Sequence, residues 1–120
     1  MSFESTLAAN VHVIGDSIHA APMMPKSGFM ANAHAKVAAA AIVAQLTGQN
    51  VNAVPKLANT CYSFVSQSEA IHSAAVYEYV AQAKTFKPVQ GAGGVSASRS
   101  PLEAQYADAW AHNIWADMLA

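Results

Sequence analysis

The chain has 120 residues, of which 53% are hydrophobic, so it is about the size of one domain and can bury a core. Six lysines and arginines against seven acidic residues give a net charge of −1, which disfavours binding to nucleic acid or to an anionic membrane. Residues 1–6 contain a glutamate and no apolar run, and the longest apolar stretch is short. We therefore predict no signal peptide and no membrane span.

The first half of the chain predicts a strand, a loop and a long helix. Residues 3–10 are rich in turn formers, and residues 12–14 predict a short buried strand that ends at Gly15 and Asp16. Two prolines make the following residues a loop. Ser27 as N-cap and Gly48 as C-terminal stop delimit a helix over about 27–46. This helix is rich in alanine, so it can approach a sheet or a ligand closely.

The second half predicts a small antiparallel sheet. Residues 49–58 are a connector, and residues 60–65 and 71–80 are rich in β-branched and aromatic side chains. A third strand over 83–89 carries lysines typical of an edge, and the glycine-rich residues 91–94 predict a flexible turn.

A final helix is predicted to cover this sheet. Ser100 as N-cap, Pro101 at the first position and Glu103 completing a capping box mark its start. Tyr106 and Trp110 repeat at helical spacing, and we expect them to lie in the core or in an interface.

The strand tip and the first helix together indicate part of a flavin site. The Asp16 carboxylate only accepts hydrogen bonds, so it can hold two hydroxyls of a ribityl chain, while Gly15 permits close approach. The helix start near Ser27 and Gly28 offers unpaired N–H groups to a negatively charged ring or phosphate. Outside this context, a turn-capping aspartate is the better interpretation of Asp16.

Several motifs in order resemble one family, the flavoprotein subunit of flavocytochrome c sulfide dehydrogenase, over its C-terminal third. A Gly-Asp pair after a strand is weak evidence by itself, but the ordered combination is specific. The motifs are VIGD at residues 13–16, PKSGF at 25–29, AN at 31–32, AKVAAA at 35–40, NTCYS at 59–63 and AAVY at 74–77.

The resemblance implies a role for each matched residue. Asp16 would bind a ribityl hydroxyl of FAD, and Lys26, Ser27 and Gly28 would lie beside the pyrimidine edge of the flavin. Cys61 would be one half of a redox-active disulfide next to the flavin. The family is periplasmic, oxidises sulfide and passes electrons to a c-type cytochrome subunit.

The chain also departs from the family pattern. The Gly-x-Gly-x-x-Gly phosphate loop of the first dinucleotide-binding domain has no counterpart here, and Cys61 is the single cysteine. A buried structural thiol is the alternative for Cys61, and a solvated lysine at a helix start is the alternative for Lys26. The histidines lie on different predicted elements without an i, i+4 pair, so we predict no metal site; they are His12, His19, His34, His72 and His112.

These observations predict an α+β fold in two parts. Residues 1–48 form a strand, a loop and a long helix that complete an FAD domain, and residues 49–120 form a small antiparallel sheet covered by a C-terminal helix. The function predicted is that of a C-terminal flavoprotein fragment, inactive alone and not expected to retain FAD without the missing N-terminal portion. The alternative is an interaction module that self-associates or binds a protein partner.

Overall fold

The computed structural model describes residues 1–119 and contains two long helices and a three-stranded sheet. An α-helix is followed by three strands and a closing α-helix, which confirms the α+β class. The elements are α1 (Gly28–Leu46), β1 (Lys56–Phe64), β2 (Ala70–Val80), β3 (Thr85–Val95) and α2 (Pro101–Leu119).

The N-terminal segment is less regular than predicted. Residues 12–14 are not a strand, because they contribute one isolated bridge, between His12 and Glu4. The backbone there bonds only to the lead-in, where the Val13 N–H donates to the Phe3 carbonyl oxygen at 2.9 Å. A 3-10 turn follows at Gly15–Ser17. Strands need a partner, and the sheet consists of β1, β2 and β3 alone, so the apolar run has no ladder to join.

Helix α1 begins and ends as predicted. The Ser27 hydroxyl oxygen accepts a hydrogen bond from the Met30 N–H at 3.1 Å, which caps the helix. Gly48, just beyond the last turn, has a φ of +69°, a conformation that glycine adopts without strain. One stripe of side chains is buried, at positions Met30, His34, Ala38 and Ala41.

Helix α1 is also the one helix within residues 1–119 that is long and apolar enough to cross a membrane by length and composition. Its mean hydropathy is 1.2 over the best window. A core helix passes the same test, and α1 packs on β1. This single apolar helix is therefore weak evidence for a membrane span.

The sheet has the order β1-β2-β3 with antiparallel neighbours, so β1 and β3 are its edges. β1 begins at Lys56, within the segment predicted as a connector, and pairs along its whole length with β2. The hairpin between β1 and β2 is closed by the Val65 N–H, which donates to the Glu69 carbonyl oxygen at 2.9 Å. The β2–β3 connection passes through a 3-10 turn at Ala81–Ala83.

The glycine-rich residues 91–94 were predicted to form a flexible turn. This prediction is wrong, because they lie inside β3. The pairing register shifts between Ala75 and Tyr77, and extra residues of β3 bulge there. Gly93 has a φ of +146°, and a Cβ at this position would lie 2.3 Å from the Ala74 carbonyl oxygen. Glycine therefore serves a close approach between strands, which composition alone does not distinguish from a flexible turn.

The two helices pack on opposite faces of the sheet. Successive strand residues point to opposite faces. Leu57 belongs to the buried cluster that includes Met30 of α1, whereas His72, which pairs with Tyr62, bonds to Glu103 of α2. The main core thus lies under α1, and α2 covers the other face through two buried alanines, Ala104 and Ala107.

The start of α2 confirms half of the predicted capping box. The Ser100 hydroxyl oxygen accepts from the Glu103 N–H at 3.2 Å. The Glu103 carboxylate does not return to the Ser100 N–H, which donates to the Ala70 carbonyl oxygen instead. The Ser100 N–H, which would bond to the Glu103 carboxylate in a complete capping box, therefore bonds to the sheet residue Ala70.

Candidate functional site

A groove runs along the free edge of β1, between α1 and α2. Its wider part has a volume of about 370 Å³, and Cys61, Gly28 and Ala111 are among its lining residues. A narrower part of about 200 Å³ continues towards the ends of the helices, past Ala58. The wider part is at the lower end of the range of about 300–1,000 Å³ for ligand pockets.

Side chains bridge this groove from helix to helix. The rings of Phe29 and Trp110 stack with centroids 5.6 Å apart and an angle of 10° between their planes. Two turns further along both helices, Lys36 and Asp117 form an ion pair with an N–O distance of 2.7 Å. The helices therefore run in parallel, and an aromatic pair forms one wall beside the wider part of the groove.

Two polar side chains, Ser27 and Asn59, connect the start of α1 to Cys61. The Ser27 hydroxyl donates to Asn59 Oδ1 at 2.5 Å, and Asn59 Nδ2 donates to Cys61 Sγ at 3.2 Å. Asn59 is 4% exposed, so its two bonds have little competition from water. Ser27 Oγ also accepts from the Met30 N–H, so this hydroxyl connects the helix backbone to the amide. The thiol is thereby held beside the first turn of α1.

The Asp16 turn lies on the other side of this helix start. Gly15, Asp16, Lys26 and Ser27 line one small pocket, and Ser27 also lines the groove that contains Cys61. Lys26 Nζ donates to the Asp16 carbonyl oxygen at 3.0 Å, and the exposed Asp16 carboxylate accepts no hydrogen bond within residues 1–119. The structure thus gathers all six predicted site residues around the start of α1.

The arrangement fits part of a flavin. The first N–H groups of α1, those of Gly28 and Phe29, have no intrahelical acceptor, and both residues line the groove. A Cβ added at Gly28 would meet nothing within 4 Å, so the backbone there is open to approach. Cys61 of β1 lines the same groove. Backbone donors, a planar aromatic wall and a sulfur atom suit a flat, electron-accepting ring.

The family model described as "Flavocytochrome c sulphide dehydrogenase, flavin-binding" matches residues 53–119, more than half of the chain. The chain belongs to this family. The match contains all three strands and α2, and with them Cys61 and Asn59. FAD is accordingly the cofactor of the full-length family, and the family name implies a cytochrome partner. The Asp16 turn and the start of α1 lie outside the matched residues.

A second polar cluster joins α2 to the sheet. His72 Nδ1 lies 2.8 Å from both carboxylate oxygens of Glu103, and the Ser96 hydroxyl donates to Glu103 Oε1 at 2.9 Å. These hydrogen bonds, first of all the one from His72, hold the pKa of Glu103 below its ordinary value of 4.5. Ser96 Oγ also lies 2.9 Å from His72 Nδ1, the nitrogen that faces the glutamate. Both partners share one ring nitrogen, so the cluster does not have the geometry of a hydrolytic triad.

A separate cavity contains none of the predicted site residues. It has a volume of about 500 Å³ and lies between the N-terminal segment and the β2–β3 connection, with Phe3, Tyr79 and Phe86 among its lining residues. It is larger than the wider part of the groove, but it contains no cysteine and does not border the start of α1. We therefore place the candidate site in the groove between α1 and α2, on the chemistry of its lining.

Two residues that organise the site, Asn59 and His34, have no role in the predictions from sequence. Asn59 stands within the NTCYS motif, two positions before Cys61, which places both side chains on the same face of a strand. His34 lies four positions after Met30 on the buried stripe of α1. The strand period could have revealed Asn59, whereas nothing in the helix pattern separates His34 from an ordinary core residue. Within residues 1–119 no three metal-ligating side chains cluster.

Proposed function

We propose that the chain forms one wall of an FAD site, in which the start of α1 and the edge of β1 face the flavin ring and Cys61 is the redox cysteine. The observation that carries this proposal is the chain of hydrogen bonds from Ser27 through Asn59 to Cys61. It fixes a thiol beside unpaired helix N–H groups in a groove of ligand size.

Each predicted residue takes a part in this proposal. Asp16 accepts hydrogen bonds from ribityl hydroxyls, and Gly15 lets the ribityl chain approach the backbone. The first turn of α1, at Ser27 and Gly28, directs N–H groups and the positive end of the helix dipole at the pyrimidine edge of the ring. Lys26 adds positive charge at the same edge. Bound FAD supplies two-electron transfer, and these residues bind and orient it.

The chain alone lacks two parts of the complete site in this proposal. A disulfide at Cys61 needs a second cysteine, and the chain contains one cysteine. The pyrophosphate grip of a Gly-x-Gly-x-x-Gly loop is likewise supplied by another polypeptide segment. We therefore propose that residues 1–48 complete an FAD domain supplied elsewhere and that residues 49–120 follow as the family's C-terminal unit. Without those parts the chain is catalytically inactive.

The electron acceptor and the cellular compartment are proposed from membership of the same family. We propose a c-type cytochrome as electron acceptor of the completed protein and the periplasm as its compartment. Sulfide is the substrate in this proposal, and the purified chain by itself is colourless.

Protection of Cys61 by flavin tests the site directly. The rate at which a chromogenic disulfide reagent labels Cys61 is measured with and without FAD at millimolar concentration. We expect FAD to slow the labelling, because the ring covers the groove. Unfolded chain in denaturant, labelled with and without FAD, controls for any reaction between FAD and the reagent.

Two variants on the same helix form a matched pair for this experiment. Ala111 lines the groove, so Ala111→Trp fills it, whereas Ala109 is exposed and does not line it. We expect Ala111→Trp to abolish the FAD effect on labelling and Ala109→Trp to preserve it. If saturating FAD leaves the labelling rate of the native chain unchanged, or if both variants respond alike, the proposed site is wrong.

The second candidate function is a protein-interaction module. It is favoured by large apolar side chains that remain exposed on α2 and at the end of β1: Phe64, Tyr106, Trp115 and Met118 are each between 51% and 64% exposed. Sedimentation velocity over a hundredfold range of protein concentration separates the candidates. A concentration-dependent dimer together with FAD-insensitive labelling supports the module, and a monomer protected by FAD supports the flavin site.

A further inference from the structure

His34 is a buried histidine that the proposed function does not use. Its side chain is 2% exposed on the inner face of α1, and its Nδ1 accepts a hydrogen bond from the Gly15 N–H at 3.2 Å. Because the backbone N–H is the donor, Nδ1 must be unprotonated, and the ring is the neutral Nε2–H form. The imidazole therefore ties the turn that carries Asp16 to the helix.

The other ring nitrogen has no protein partner. His34 Nε2 is buried without a hydrogen bond within residues 1–119, and the Phe3 ring lies with its centroid 4.6 Å from that of the imidazole. Leaving an N–H unpaired costs free energy, and an apolar side chain in the same place would avoid it. What the imidazole contributes that an apolar residue cannot is the acceptor for Gly15.

We infer that His34 is a positioning residue for the Asp16 turn and that it holds the turn only while its ring is neutral. This inference rests on the proposed function where it concerns flavin, because Asp16 is the residue proposed to bind the ribityl chain. Protonation places a hydrogen on Nδ1, which then faces the Gly15 N–H, donor against donor. The bond breaks, and the turn then keeps the hydrogen bond that Lys26 Nζ donates to the Asp16 carbonyl oxygen.

The charges around the ring set the pH at which this happens. Burial lowers the pKa of His34 below its ordinary value of 6.5, and the Asp16 carboxylate acts against this by favouring the charged ring. Asp16 and Lys26 are the charged residues that line the pocket beside the imidazole, and Phe3 from the N-terminal segment is neutral. Because the unfolded chain binds the proton more readily, the stabilisation is complete above pH 6.5 and is lost as the pH falls through the folded pKa.

Amide hydrogen exchange at Gly15 is the decisive measurement. Intrinsic exchange slows about tenfold for each pH unit of acidification, and an opening linked to one proton rises by about tenfold over the same interval. Between pH 6.5 and the lower folded pKa of His34 the two trends cancel, so we expect the Gly15 exchange rate in the native chain to be independent of pH over that interval. Below the folded pKa the opening no longer rises, and the ordinary pH slope returns. Ring nitrogen NMR shifts of His34 should show the Nε2–H form above that pKa.

Three variants separate positioning from general stability. Asparagine carries an acceptor near the place of Nδ1 and does not titrate, so His34→Asn should retain Gly15 protection and follow the ordinary pH slope. His34→Leu should lose Gly15 protection at every pH, and His112→Ala, at an exposed histidine on α2, should behave as the native chain. An Nδ1–H tautomer in the native chain, or the same pH profile in native and His34→Asn proteins, overturns the inference. The tautomer measurement decides it even if a variant fails to fold.

Flavin binding provides a separate readout. With FAD as the probe, we expect the dissociation constant of the native chain to rise at acidic pH and that of His34→Asn to stay constant. An equal rise in both proteins contradicts the positioning role. If FAD does not bind at any pH, the proposed function fails, while the Gly15 amide still decides the role of His34.

Discussion

Replacing Ser27 with alanine removes two hydrogen bonds with different costs. The first is the cap on the Met30 N–H, and the loss of such a cap costs about 1 kcal/mol. The second is the bond to Asn59 Oδ1, which leaves a buried acceptor without a partner and costs about 1–3 kcal/mol. We therefore expect Ser27→Ala to lower the free energy of unfolding by about 2–4 kcal/mol.

The matched control is the other helix cap. Ser100 accepts from the Glu103 N–H at 3.2 Å and makes no second side-chain bond within residues 1–119, so Ser100→Ala should cost about 1 kcal/mol. Urea unfolding followed by circular dichroism measures both variants. With an m-value of about 1 kcal/mol/M, the additional loss in Ser27→Ala lowers its midpoint by about 1–3 M urea below that of Ser100→Ala.

A double-mutant cycle assigns the additional loss to the pair. Combining Ser27→Ala with Asn59→Ala should show a coupling energy of at least about 1 kcal/mol, because both variants remove the same bond. Ser27→Thr keeps a hydroxyl and should recover most of the stability. If Ser27→Ala and Ser100→Ala lower the free energy of unfolding equally, within about 0.5 kcal/mol, the hydrogen bond from Ser27 to Asn59 does not stabilise the fold and the reasoning is refuted.

Three further perturbations test other parts of the structure. Gly93→Ala should destabilise the chain by about 1–3 kcal/mol more than Gly91→Ala, because both positions have positive φ but only Gly93 lacks room; equal losses in urea unfolding would contradict the close approach. The low pKa of Glu103 means that its contribution is present above pH 4.5 and lost as the pH falls through the folded value, so Glu103→Gln should flatten the acid limb of a stability–pH curve. Lys36→Ala should cost less than about 1 kcal/mol in thermal unfolding, since its ion pair across the groove is exposed; a larger loss would show that the pair holds the helices together.

The sequence predicted the elements that carry local signals. Both helices begin at the predicted serines, because a side-chain oxygen followed by three free N–H groups is a local arrangement. The first two strands were found from β-branched and aromatic residues. By contrast, residues 91–94 have the composition of a turn, and only the distance from Gly93 to the backbone of β2 makes them part of a strand. Contacts of that kind are set by tertiary packing.

The sequence predicts residues for the candidate site but not the hydrogen bonds that connect them. The resemblance supplied Asp16, Lys26 and Cys61, and the structure brings them to one helix start. Asn59, which bonds to Cys61, was given no role in the prediction, and His34, which bonds to Gly15 beside Asp16, lies on a buried stripe that is otherwise apolar. A bond between residues 15 and 34, or between 27 and 59, leaves no periodic trace in the sequence, so it emerges only from the fold.

The alanine content of α1 has a consequence for assembly. Beyond its buried stripe, the helix presents alanines such as Ala39 and Ala40 to the outside. An alanine side chain has no rotamers to lose when another surface covers it, whereas a lysine or glutamine loses about 1.5–2 kcal/mol of conformational freedom. A polypeptide that docks on this side of α1 therefore meets a surface already ordered, and the entropic penalty of the encounter falls almost wholly on the incoming partner.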